Sequence, residues 1–185
     1  MECTSIAKLN NFDGKNNVKL FVACHTGEKI SPKKTGIWTY SSDTNVFSQT
    51  AVYIEEKTPG QDFSAEFNLD VRIVNLGQSQ KKYLLVLNRA WKPDQVSKIA
   101  ALIEIDATTN ELVPESVQAY SFAFSDGQTI IPNIQNVFDL SGNLIVVGML
   151  TSDITQPIQM ISCPFSDTTG VKNDPKIITC SDGVP

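Results

Sequence analysis

The chain has 185 residues, of which 41% are hydrophobic and 19% are charged, and its formal net charge is -5. This composition is too apolar for a disordered chain, and no apolar run approaches the roughly 20 residues that span a bilayer. The acidic balance, with Arg72 and Arg89 as the only arginines, argues against a nucleic-acid partner.

The first part of the chain is predicted to form strands joined by hairpins. An Ile-x-x-Leu segment at 6–9 leads to the turn dipeptide Asp13-Gly14 and then to a continuous apolar run at 20–23. Alternating residues at 38–40 follow, and a polar turn at 43–45 precedes a further strand around Val52. An apolar run this short, rich in branched residues, is typical of a strand buried on both faces.

The same order of elements recurs twice. The Leu and Val of the apolar run return at 84–87 and 144–147, which lie 64 and 60 residues further along. The corresponding segments of the other strands are 73–76 and 134–137, 103–105 and 163–165, and those around Val117 and Ile177. The turns that follow the third strands end in Asn45, Asn110 and Gly170, residues that tolerate a positive φ, so we expect φ > 0 at all three.

This pattern predicts an all-β domain over 1–185 with three four-stranded antiparallel units, at about 1–56, 65–123 and 129–182. Residues 94–105 are the best helical candidate, but β-branched residues make their second half a predicted strand. Tandem four-stranded units resemble β-propeller blades, although no motif of a particular propeller family is present. The alternative is a β-sandwich or barrel of about twelve strands.

The four cysteines fall into two pairs that hairpins bring together. Cys3 and Cys24 lie on either side of Asp13-Gly14, and Cys163 and Cys180 lie on either side of the Gly170 turn. Cross-strand neighbours have the separation that a disulfide needs, so we expect two disulfides and an extracytoplasmic protein. Free cysteines in a cytoplasmic protein are the alternative. The N-terminal residues lead straight into patterned sequence, so no signal peptide is visible.

His25 is the single histidine and follows Cys24 directly. Adjacent strand residues point to opposite faces, so the two cannot form a catalytic pair, and one histidine cannot build a multi-histidine metal site. We expect His25 to be a surface or loop residue.

Three acidic loops follow the predicted fourth strands and carry Asp62, Asp126 and Asp182. In a propeller these loops would gather near the central channel, where they could hold a polar ligand or a cation such as calcium. Ordinary turn chemistry explains the same residues. Trp91 and Tyr120 are expected to be exposed aromatic contact residues.

No catalytic motif is recognisable, so the sequence favours a non-enzymatic binding module for a protein, a glycan or another polar ligand, with no cofactor. A metal-dependent hydrolase using the three aspartates and a structural assembly protein are the alternatives. Three blades are too few to close a propeller. Because 181–183 repeats 125–127, one chain is expected to continue into the first strand of a second, as a head-to-tail homodimer with six blades. A piece of a longer propeller is the other possibility.

Overall fold

The strands of the chain form three separate sheets in a computed structural model. The structure describes residues 2–10, 14–25, 34–55, 69–88, 100–127, 130, 133–149, 157–165 and 177–181. These residues contain thirteen strands and one 3₁₀ turn, Pro114–Ser116. Over the same residues most neighbouring strands are antiparallel and no sheet closes into a barrel. The prediction of an all-β protein is confirmed.

The first sheet contains the strands β1 to β5 and is antiparallel throughout. Its strands are β1 (Glu2–Asn10), β2 (Val18–His25), β3 (Lys34–Ser41), β4 (Val46–Phe47) and β5 (Val52–Glu55). The first three pair in chain order, and the short strands β4 and β5 both pair with β3.

The central sheet has four antiparallel strands in chain order and a fifth that comes from the end of the chain. Its strands are β6 (Leu69–Leu76), β7 (Lys81–Asn88), β8 (Ala100–Glu104), β9 (Gln118–Ala123) and β13 (Ile177–Thr179). The third sheet contains β10 (Asn133–Leu140), β11 (Asn143–Met149) and β12 (Gln159–Cys163), again in chain order.

The central sheet lies between the other two and is buried on both faces. Leu84 and Val86 of β7 belong to a core shared with the first sheet, which contributes Phe21. Leu85 and Leu87 point the other way, into a core shared with the third sheet. All four β7 residues are at most 2% exposed, as the continuous apolar run predicts.

The first strands of the three sheets lie next to one another, with β6 in contact with both β1 and β10. Val71 donates its backbone N–H to Ser5 Oγ of β1 at 3.1 Å, and Asn75 donates its own to Asp139 Oδ2 of β10 at 3.0 Å. Side chains of the flanking sheets thus bond edge groups of β6. An unpaired strand edge would otherwise expose such groups.

The prediction of a fourth antiparallel strand in the third unit is wrong. The strand that contains Ile177 leaves β12 and pairs with β9 in parallel, with Ile177 opposite Ser121. This pairing places Ile178 in the core between the central and third sheets. Two factors favour this pairing over one with β12: the Ile178 side chain becomes buried, and the edge of β9 provides backbone hydrogen-bonding groups.

The predicted alignment of the first strands is also wrong. Because Ile6 pairs with Val22, its structural equivalents are Val71, which pairs with Val86, and Val137, which pairs with Val146. The connections to the second strands differ in length (11–17, 77–80 and 141–142), and irregular pairing near Cys3 and Ile134 shifts the register again. In the third strands, Tyr40 rather than Trp38 corresponds to Ile103 and Cys163.

The turn prediction is confirmed at two of its three positions. Asn45 and Asn110 both have φ of 55°. Gly170 lies outside the described residues.

Candidate functional site

Of the three predicted acidic loop residues, the structure describes Asp126 alone. It is exposed in the turn that follows β9, where Gly127 has φ of 86° and donates its N–H to the carbonyl oxygen of Phe124 at 3.0 Å. Asp62 and Asp182 lie outside the described residues, and so does Trp91. The proposed meeting of the three aspartates therefore stays a prediction.

Tyr120 is not an exposed contact residue, contrary to the prediction. It is 2% exposed and lies in the core between the central and third sheets, where its ring meets Phe165 edge-on at 6.4 Å between centroids. Burial, with a smaller electrostatic contribution from Tyr83, raises the pKa of Tyr120 to about 12. The residue is inward because its strand alternates, and Phe122 points into the same core.

His25 is also buried, so the prediction of a surface or loop residue is wrong. It is the last residue of β2, pairs with Glu2 on β1 and Thr35 on β3, and is 1% exposed. Its Nε2 lies 3.8 Å from the Glu2 carboxylate. His25 alternates with Phe21 and Ala23, so its ring points to the face of β2 that packs on the central sheet.

No cluster of three or more His, Cys, Asp or Glu side chains with the geometry of a metal site occurs among the residues that the structure describes. The carboxylate of Asp106 stabilises a turn. It accepts hydrogen bonds from the backbone N–H groups of Thr109 and Thr108, at 2.7 and 2.9 Å, and these bonds lower its pKa. The described helical structure includes nothing long and apolar enough to cross a membrane.

Both predicted disulfides are present; one lies within a single sheet and the other joins two sheets. Cys3–Cys24 joins the neighbouring strands β1 and β2 within the first sheet. Cys163–Cys180 joins β12 of the third sheet to the residue after β13, which belongs to the central sheet. The second disulfide therefore links two sheets covalently.

The outer face of the first sheet is largely apolar and belongs to neither described core. Its apolar members lie on alternate positions of the five strands: Ile6, Leu20, Val22, Trp38, Tyr40, Phe47 and Tyr53. Lys8, which pairs with Leu20, lies on the same face and is exposed. Trp38 meets Tyr53 edge-on at 6.1 Å between centroids, and Lys34 Nζ lies 5.5 Å from the centroid of the Tyr53 ring. Phe47 is 56% exposed.

The outer face of the third sheet, at the opposite end of the stack, has the same character. It is formed by Phe138, Leu140, Ile145, Val147 and Met160, with Ile158 just before β12; Ile145 is itself only 7% exposed. Leu140 and Met160 are each 59% exposed. Exposed apolar patches of this kind mark interaction surfaces in soluble proteins.

The sequence contains a signal for these two surfaces. The runs at 20–23 and 144–147 are apolar on both faces, which predicts burial on both sides. The described sheets pack against one side of each run. The other two sides are the strongest candidates for a functional surface.

No protein-family model, no curated protein and no solved structure matches this chain.

Proposed function

We propose that this protein is a non-enzymatic interaction module whose three sheets are propeller-like blades. The stacking of the sheets in chain order supports this proposal, as does the adjacency of their first strands β1, β6 and β10. In a propeller, blades stack face to face and their first strands surround the central channel. The central sheet, with both faces buried, fits the environment of an interior blade.

The observation that carries the proposal is the pair of apolar outer faces at the two ends of the stack. Ile6 and Met160, one on each face, are 60% and 59% exposed. A second copy arranged head to tail would cover both faces and complete a ring of six sheets, a closed heterologous assembly. Self-association is therefore the first interaction that we propose.

Light scattering over a dilution series tests this association. The expected mass is about 41 kDa, twice the 20.3 kDa of one chain. A species of one-chain mass at every concentration, with both disulfides intact, would contradict the homodimer.

A second interaction is proposed at the loops that follow the fourth strands, with Asp62, Asp126 and Asp182 as ligand-contacting residues and Trp91 beside them. Exposed carboxylates suit a cation such as calcium, a glycan or a polar protein surface. Calcium titration and a glycan array, run on the native protein and on Asp126→Ala, test this proposal. We expect binding that the substitution weakens, and binding unaffected by Asp126→Ala would remove this residue from the site.

We further propose an extracytoplasmic location, because two disulfides persist in oxidising compartments and are rare in the cytoplasm. Thiol labelling of the protein in its native cells, before lysis, tests the location. Protection of all four cysteines is the expected result, and full labelling would favour the cytoplasm.

A further inference from the structure

We propose that the outer face of the third sheet of one copy packs on the outer face of the first sheet of the next. This inference rests on the proposed self-association and identifies the two surfaces and their register.

The two internal interfaces of the stack use the same pair of faces. We call the face that carries Leu20 and Val22, and its equivalents in the other sheets, the Leu-Val face. The equivalents are Leu84 and Val86 in the central sheet and Leu144 and Val146 in the third. At each internal interface, the Leu-Val face of the later sheet packs against the opposite face of the earlier one.

Among the described residues, this repetition leaves one face of each kind without a sheet packed against it. These are the Leu-Val face of the first sheet and the opposite face of the third. Together these two faces could form a third interface of the same kind. If the third sheet of one copy meets the first sheet of the next, the contact repeats the interfaces inside the chain.

The exposure of equivalent residues gives the strongest support on the first sheet. Ile6 is 60% exposed, whereas its equivalents Val71 and Val137 are 4% and 0% exposed inside the internal interfaces. Since the three residues occupy the same register position, Ile6 has the position of an interface residue and lacks only the facing sheet.

The same comparison holds for the third sheet. Met160 pairs with Val147, as Ile37 pairs with Ala23 and Ala100 pairs with Leu87. Met160 is 59% exposed, whereas Ile37 and Ala100 are each 1% exposed.

Two single substitutions test the arrangement, one on each face: Ile6→Asp and Met160→Asp. In a head-to-tail dimer each variant damages both contacts, so each alone should have the mass of one chain at concentrations where the native protein is a dimer. Both positions are exposed, so the folded chain should tolerate either charge. Ala107→Asp adds the same charge in an exposed turn and should leave the dimer intact.

Mixing the two variants gives the diagnostic result. One contact in the mixed pair then joins two unmodified faces, so an equimolar mixture should recover a species of about 41 kDa, twice 20.3 kDa. An interface formed by two copies of the same face would give no such recovery. If the native protein is a dimer that neither substitution disturbs, this inference is overturned while the self-association stands. A native monomer overturns both.

Discussion

The disulfide between Cys163 and Cys180 joins two sheets, because Cys180 also donates its backbone N–H to the carbonyl oxygen of Ala123 in β9 at 2.7 Å. Cys163 and Cys180 are 0% and 2% exposed. The other disulfide lies in the first sheet, with Cys24 buried and Cys3 exposed. The two differ in accessibility as well as in what they connect.

Mild reduction should therefore open the two disulfides in order. A thiolate must reach a sulfur atom to exchange with it, and only Cys3–Cys24 has an exposed member. We expect stepwise alkylation followed by peptide mass spectrometry to find Cys3 and Cys24 labelled first. In denaturant the preference should vanish. Simultaneous or reversed labelling of the folded protein would contradict the described burial.

The turn at Asn110 should be sensitive to the shape of its side chain. Asn110 has φ of 55°, is buried, and donates its N–H to the carbonyl oxygen of Asp106 at 2.8 Å. A β-branched residue resists this conformation, so Asn110→Val should lower the free energy of unfolding by roughly 1–2 kcal/mol or more. Asn110→Gly accepts the same dihedral and serves as the control. Urea unfolding of both variants gives the comparison, and equal losses would show that side-chain contacts dominate.

The sequence predicted what is local in this fold. Strands, the Asn45 and Asn110 turns and the Cys3–Cys24 pair all depend on residues that a single hairpin brings together. The parallel pairing of β13 with β9 joins residues far apart in the chain. Its short Ile-Ile-Thr strand contains no feature that specifies its neighbouring strand, so the sequence pattern predicts the wrong sheet for it.

The candidate surfaces were less predictable than the strands. Alternation indicates that two faces of a strand differ, but it does not say which face a later sheet will cover. Tyr120 is predicted to be a contact residue because exposed aromatic side chains suit contact surfaces, and the Phe165 ring that it meets in the core is distant in sequence. Ile6 differs from the sequence expectation in the opposite direction: it is exposed, although the equivalent residues Val71 and Val137 are buried in the core.

The burial of Tyr120 should make the stability of the fold depend on alkaline pH. Burial raises its pKa from 10.0 to about 12 in the folded protein. The unfolded chain therefore loses this proton first, so the contribution of Tyr120 to stability is complete below pH 10 and falls as the pH rises toward 12. Denaturant unfolding between these limits should show a steeper decline for the native protein than for Tyr120→Phe, which has no proton to lose. Parallel declines would contradict the raised pKa.

We expect Asp139 to stabilise the contact between the central and third sheets. Its Oδ2 accepts the backbone N–H of Asn75 at 3.0 Å. Two residues further along the chain, Gly77 donates its N–H to the carbonyl oxygen of Gly142 at 2.9 Å. Asp139→Ala leaves the Asn75 N–H without this acceptor, which should cost about 1–2 kcal/mol in the free energy of unfolding.

Asp139→Asn is the matched variant, because its amide has nearly the same shape and retains an oxygen acceptor for Asn75. It should lose clearly less stability than Asp139→Ala in urea unfolding. Amide exchange distinguishes this local role from a general one: exchange at Asn75 should accelerate in Asp139→Ala, while exchange at Val71, which is held by Ser5 at the other end of β6, should follow only the global stability. If Val71 and Asn75 accelerate equally beyond that global change, the Asp139 bond does not act alone, and the whole free edge of β6 opens as one unit.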